Sequence, residues 1–514
     1  MTRREVLRTS ALGALAAPLL AKKQPKPDKN VLFIAIDDLR PDLGCYGHPD
    51  VISPNINRLA DRGLTFLNNY CQQAVCSPSR TSLMTGLRPD TTGVHDLNTH
   101  FRRNRPNAST LPQQFKEHGY TTTAFGKIFH KPQLDDQPSW SIPSWIADNE
   151  DWRSEANRAF TEQKWNELRA NGWVSNEDFY FDPEKRKPRD EGRGWGLKSW
   201  KAPDVPDNEL SDGKTTDAAI AAMKDLSGDR FFLAVGLTKP HLPFVAPKKY
   251  YDLYPRAYIK PDKHREVPRD APYYALHGNE ELRGYTDIPA EGPIPDELGR
   301  DLKRAYYASI SYADAQVGRL LKALDDNGLW ENTAIVLWGD HGCHLGEHGL
   351  WNKHTNFENA THTPLIMRYP GQRNAGEQSR ALTELVDVYP SLCDICNVPP
   401  PGNLEGSTFS ALFQNPNQLW KRAVFSQHPR EIPGVGPGMG YSMRTKRYRY
   451  TEWSAIDSPY KARELYDYRV DPFETRNIAT QPQYVSLVNG LAGMLQEGWL
   501  GSLPPVDPRS GTSS

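Results

Sequence analysis

The chain has 514 residues, 38% of them hydrophobic, with 13 Trp and 23 Tyr and a formal net charge of −1. That is enough for roughly two or three domains around a large core. It excludes a global field that would collect nucleic acid or an anionic membrane, so any anionic substrate must be held by a local cluster of cations.

The chain opens with Arg3 and Arg4 ahead of a short, alanine-rich apolar run from Ala11 to Leu20. The run is too short to cross a bilayer. A twin-arginine pair before such a run reads as a bacterial export signal over residues 1–24, and predicts a periplasmic or extracellular protein. Nothing later in the sequence has the pattern of a membrane span.

Four stretches then read as buried strands: "NVLFIAI" (30–36), "TTTAF" (121–125), "FFLAVGL" (231–237) and "TAIVLW" (333–338). The first and last are continuous apolar runs, as strands covered on both faces should be. Helical patterns lie between them, in "SPNINRLADRG" and in "LKRAYYASISYADAQVGRLLKALDDNG", where Gly328 supplies the stop. Alternating strand and helix predicts an α/β fold built on a large, mostly parallel sheet sandwiched by helices.

Two long segments lack this pattern. Residues 132–212 hold seven of the 13 Trp, and residues 240–300 are rich in Pro and Tyr. Such segments either pack over the sheet or wall a cleft that stacks on a sugar ring. Past residue 418, short strands with turns and a terminal helix predict a smaller C-terminal antiparallel-sheet subdomain, and residues 506–514 read as a loose tail. Cys393 and Cys396 form a C-x-x-C pair in an apolar helical stretch, with no thioredoxin-like context and no second pair for zinc. They read as buried free thiols.

Chemistry collects after the strands. Asp37 and Asp38 follow the first, Lys127 and His130 the second, His241 the third, and Asp340 and His341 the fourth. In an open parallel sheet, ligands bind at the carboxyl ends of the strands. Three aspartates brought together repel unless a cation neutralises them, and their hard oxygens suit Ca²⁺ or Mg²⁺. For a single aspartate the alternative is a helix cap.

"AVCSPSRTSLMTG" (74–86) reads as the start of a helix, with Ser77 as its cap, Pro78 in the first turn and Gly86 as its stop. Cys76 then sits at the positive end of a helix, and Arg80 comes round toward the same face. Helix start and guanidinium together suit a sulfate or phosphate. A thiolate against a hard cation is mismatched chemistry.

Cys76-Ser77-Pro78-Ser79-Arg80 with "TSLMTG" resembles the signature of the type I, formylglycine-dependent sulfatases. "IDDLRPDLGCYG", "GKIFH", "KPHLPF", "GDHGCHLGEHGLWNKHTNFENATHTPLI" and "MGYSMRTKRYRYTEW" are similar to segments of iduronate-2-sulfatase-like members. The resemblance implies an alkaline phosphatase-like catalytic domain over residues 28–418, with the α+β subdomain over 419–505. It implies that a maturation enzyme oxidises Cys76 to Cα-formylglycine, whose hydrate attacks sulfur. Asp37, Asp38, Cys76, Asp340 and His341 would surround a divalent cation, Ca²⁺ before Mg²⁺. Cys76, Arg80, Lys127, His130, His241 and Lys353 would be the catalytic set, with His241 or Lys353 protonating the departing alcohol and His130 receiving a proton.

The substrate implied is a sulfated saccharide, such as a 2-O-sulfated uronic acid. Cys343 stands where such relatives tend to carry tryptophan, which implies a reshaped pocket. Arg430 either binds a carboxylate at the cleft or is an ordinary surface arginine. His344, His348, His354 and His362 read as structural or as cleft rim. Two other functions fit the same residues: a phosphodiesterase or phosphonate hydrolase of the same superfamily, and a catalytically silent protein that binds sulfated glycans.

Overall fold

The computed structural model describes residues 29–130, 132–147, 151–175, 197–507 and 509. The expected export signal, and most of the expected tail, lie outside the described residues.

Seven strands form the main sheet: β1 (Asn30–Ile36), β2 (Leu64–Tyr70), β3 (Thr121–Gly126), β4 (Phe231–Leu237), β5 (Thr333–Gly339), β6 (Leu365–Arg368) and β7 (Glu377–Glu384). Their order is β7-β2-β6-β5-β1-β4-β3. β6 pairs antiparallel with both neighbours and the other pairings are parallel. In the centre, β1 runs between β5 and β4, with Ile36 beside Gly339 and Leu237. The carboxyl ends of these three strands therefore lie at one level.

Both faces are covered. Leu32, Ile34 and Ile36 pack against the helices Pro54–Ala60, Ser211–Asp225 and Asp296–Asp326, while Val31, Phe33 and Ala35 pack against Cys76–Thr85, Leu111–Glu117 and Val388–Ile395. Side chains alternate along a strand, so an apolar run buries both sets, as the sequence predicts. All four expected strands are present. β2, β6 and β7 are additions, and the first of them leads into Cys76.

The expected irregular segment 132–212 contains a helix, Glu155–Ala170, capped by the Ser154 hydroxyl, which accepts from the Asn157 N–H. Trp140, Trp145 and Trp152 are buried, and the last two face Phe125 of β3. These rings pack over the sheet.

A second sheet of four consecutive antiparallel strands, β8 (Ala423–Ile432), β9 (Gly436–Thr445), β10 (Tyr448–Ala455) and β11 (Lys461–Asp467), is followed by the helix Val485–Glu497. β8 reaches the loop after β2: the Gln427 N–H donates to Gln72 O (2.8 Å) and the Ser426 hydroxyl to Cys71 O (2.6 Å). Among the described residues, no helix is long and apolar enough to cross a membrane. All six cysteines are free, Cys393 and Cys396 buried among them.

Candidate active site

Five parallel strands release their chains at one edge. β1 ends at Asp37–Asp38, β5 at Asp340–His341, β3 at Lys127, β4 at the turn holding His241, and β2 at the loop to Cys76. The helix starts at Cys76 itself, two residues earlier than the sequence suggests, with Val75 rather than Ser77 at the cap. The extended backbone at Val75 lets its carbonyl take the first helical bond, from the Ser79 N–H (3.1 Å). Pro78 is still in the first turn, and Gly86 ends the helix in the left-handed conformation (φ 67°). The Ser79 hydroxyl donates to Asp340 O, which fixes the helix start against β5.

Arg80 is fully buried and holds two carboxylates: Nε donates to Asp340 (2.8 Å) and Nη2 to Asp37 (3.0 Å). Its Nη1 donates to the carbonyls of Lys127 and Ile128. The Lys127 ammonium pairs with the other oxygen of Asp37. Burial pushes Asp37 up, but Lys127 and Arg80 outweigh it and hold the group well below the usual carboxylate range. Asp38 has φ 56° and its carbonyl accepts from the Tyr306 hydroxyl (2.6 Å). Its carboxylate receives Lys353 Nζ at 3.0 and 3.1 Å. Burial opposes the charge on Lys353, yet Asp38, residue 76 and Glu281 hold its pKa well above the usual value.

Cys76 is 1% exposed. Burial pushes its thiol far up, against the pull of Lys127 and Lys353, so the unmodified side chain is a neutral thiol and a poor nucleophile. It shares a chamber of about 20 Å³ with Leu97, His130, His241, Glu281, Lys353 and His354. That chamber meets a cleft of about 970 Å³ that shares Leu97, Glu281 and His354 and adds Tyr274, His277, His428 and Arg430. The Arg430 guanidinium bonds carbonyl oxygens, those of Tyr274, Pro429 and His354. Burial pulls its pKa down to about 10.

The donors fit a hard divalent cation. Asp37, Asp38, Cys76 and His241 offer ligand atoms within 4.8 Å of one another, and so do Cys76, Asp340 and His341. His341 Nδ1 lies 2.9 Å from Gly342 O and must carry the hydrogen there. Its Nε2 lone pair then faces Asp38 (3.5 Å), Asp340 (3.6 Å) and Cys76 Sγ (3.3 Å). A lone pair aimed at two carboxylates is repulsive unless a proton or a metal cation stands between them, and the clustered carboxylate oxygens suit the metal.

Every catalytic and metal-ligand candidate named from the sequence thus lies at this edge. His344, His348 and His362 are structural: His344 bonds the Thr355 hydroxyl (2.9 Å), His348 packs on Phe357, and His362 donates to Leu67 O (2.8 Å). His354 lines the site. Cys343 is fully buried, a member of the apolar cluster that includes Ile34 and Ile36. Sequence reasoning missed Glu281, whose carboxylate meets Lys353, His241 and His354. It lies in an irregular segment with no periodicity to single it out.

Carboxylates and cations around a helix-start cysteine, at the carboxyl edge of a mostly parallel sheet, suit an anionic ester held beside a hard cation. The chain belongs to the sulfatase family, whose profile matches residues 29–398; that of the N-sulphoglucosamine sulphohydrolase C-terminal region matches 346–498. It is 35% identical to iduronate 2-sulfatase of Mus musculus over 90% of this chain and 93% of that protein. It is 36% identical to iduronate 2-sulfatase of Homo sapiens over 88% of this chain and 92% of that one. Among solved structures, the phosphonate monoester hydrolase of Agrobacterium radiobacter shares the fold, with a TM-score of 0.70 at 22% identity, over 91% of this chain and 95% of that one.

Proposed function

We propose that this chain is an exported hydrolase of O-sulfate esters on an acidic glycan, with a 2-O-sulfated uronic acid as its sugar. We propose that a maturation enzyme converts Cys76 to formylglycine before it works. The observation that carries this reading is a neutral, buried thiol at a helix start, ringed by Asp37, Asp38, Asp340 and His341. A thiol is the wrong partner for that hard donor set. Relatives named iduronate 2-sulfatase, at 35% and 36% identity, support the choice of sugar. Arg430, which lines the cleft with its guanidinium on carbonyl oxygens, is consistent with a carboxylate on that sugar.

Asp37, Asp38, Asp340, His341 and residue 76 would hold the cation, Ca²⁺ before Mg²⁺. The bound ion would supply positive charge beside residue 76, and the aldehyde hydrate there would supply an oxygen nucleophile for sulfur. Arg80 and Lys127 keep Asp37 ionised and in place. Lys127 and Lys353 face the charge that grows on the sulfuryl oxygens. His241 or Lys353 gives a proton to the departing alcohol, and His130 takes one in return. The two sheets support a division into a catalytic unit over 28–418 and a smaller one over 419–505.

Two measurements test the reading. A mass spectrum of the peptide spanning residues 70–90, from a host with the maturation enzyme, is expected to carry an aldehyde at position 76; an intact thiol favours the silent glycan-binding protein. Sulfate release from a 2-O-sulfated uronate disaccharide is expected to exceed turnover of phosphate and phosphonate esters, and the reverse order returns the chain to the phosphonate hydrolases.

A further inference from the structure

Another cavity, of about 670 Å³, is walled by the C-terminal sheet, the helix Val485–Glu497 and the short turn Pro89–Thr92. It shares no lining residue with the cleft or with the chamber over Cys76. Chain neighbours separate the two sides: Gln72 and Gln427 line this cavity, whereas Gln73 and His428 line the cleft. Side chains alternate along a strand, so β8 shows one face to each.

The sheet supplies a straight polar row across all four of its strands. Gln427 of β8 is paired in register with Tyr441 of β9, Tyr441 with Glu452 of β10, and Glu452 with Arg463 of β11. The apolar row Phe425, Met443, Tyr450 and Leu465 packs instead against the helix, on Val488 and Leu491. To the cavity the helix offers Ala492 and Gly493, and a Cβ on Gly493 would meet nothing within 4 Å. The polar row is thus left uncovered, and its Tyr441 side is 36% exposed.

The bonding of the wall says what chemistry could enter. Its charges are already matched. Lys461 and Arg463 share Glu452, and Arg88 grips Glu384 through both terminal nitrogens. Glu405 accepts from the Arg88 N–H and the Thr91 hydroxyl, and Asp90 accepts from the Gln427 amide (2.7 Å) and the Tyr441 hydroxyl (3.0 Å). A charged ligand would find no free counter-charge. One donor and one acceptor are left over: Arg88 Nε and Gln72 Oε1 are buried in this wall, and neither has a hydrogen-bond partner among the described residues. Buried polar groups are satisfied as a rule. A hydroxyl both donates and accepts, and a ring that carries several hydroxyls around an apolar C–H face matches an open tyrosine set among amides and guanidinium groups. The volume lies within the range of small-ligand sites, about 300–1,000 Å³.

We propose that this cavity is a second saccharide site, which takes neutral pyranose units with one ring on Tyr441 and their hydroxyls on the planar polar groups around it. It stands apart from the sulfatase reading and holds whether or not Cys76 is matured.

The test titrates cellotetraose, mannotetraose and tetraacetylchitotetraose, with tetragalacturonate as the charged control, into the full chain in a calorimeter. At least one neutral probe is expected to bind with a Kd of about 1 mM or tighter, and more tightly than tetragalacturonate. Tyr441→Ala is expected to weaken that binding about 10-fold. Gly493→Leu puts bulk into the open space and favours the helix; it is expected to abolish binding without lowering the denaturation midpoint, and it carries the test should the Tyr441 variant not fold. No binding by any neutral probe, tighter binding of tetragalacturonate than of all three, or binding that either folded variant retains undiminished overturns the proposal.

Discussion

At the scale of single residues, Arg80 is the piece on which the others lean. It is fully buried and spans Asp37 and Asp340, which leave different strands. Removing one partner of such a cluster strands charge in a low dielectric, a loss of about 3–5 kcal/mol. Arg80→Ala is expected to lower stability by that amount in chemical denaturation. Arg80→Lys keeps the charge but lacks the fork, and is expected to recover only part of it. The conformation of the site was legible at this scale only where strand and motif coincide. Asp37, Asp38, Asp340 and His341 directly follow apolar runs, so their convergence could be read. Ser77 looked like a cap because its side chain suits one, but the loop from β2 arrives extended and Val75 takes the role. Glu281 sits where neither periodicity nor motif points.

At the scale of elements, two glycines let β3 and β4 close at their carboxyl ends. A Cβ on Gly236 would lie 2.0 Å from Lys127 O, and one on Gly126, at φ 76°, would lie 2.1 Å from Gly236 O. That contact is backbone against backbone and cannot give way cheaply. Gly236→Ala is expected to cost about 1–3 kcal/mol by overpacking and, by displacing Lys127, to reduce kcat by more than about 10-fold; denaturation curves and steady-state rates read the two effects separately. The same strands show how far pattern reading goes. β1, β4 and β5 are buried on both faces and declare themselves as apolar runs. β7 is an edge strand with exposed Glu377, Gln378 and Arg380, and β6 has four residues. Neither leaves a periodic trace long enough to read. β2 interrupts its apolar pattern with Asn68 and Asn69, so the strand that delivers Cys76 was hidden.

At the scale of the whole molecule, the two sheets are tied by buried charge. Glu358 accepts from Arg449 (2.6 Å), Arg444 (3.1 Å) and the hydroxyls of Tyr70 (2.8 Å) and Tyr468 (3.0 Å), which joins β2 to β9 and β10. Nearby, Glu464 accepts from Trp453 (2.7 Å) and Tyr466 (2.6 Å). Burial outweighs those bonds and raises its pKa from 4.5 to about 7. A carboxyl raised on folding binds its proton more tightly in the folded state. Its contribution is therefore complete below pH 4.5 and is lost as pH climbs to about 7, for a total of about 3 kcal/mol. Glu464→Gln is expected to flatten the fall in stability between pH 5 and pH 8, measured as denaturation midpoints at the two pH values.

If Cys76 is matured as proposed, its near-complete burial sets an order of events in biosynthesis. With 1% of its surface open, under a chamber with room for about one water molecule, the side chain offers no foothold to another protein. An enzyme that rewrites it must meet the segment while it is still an open strand of polypeptide. Maturation and collapse then run as competitors, and a cell that lets the chain close too soon is left with a well-formed and inert molecule.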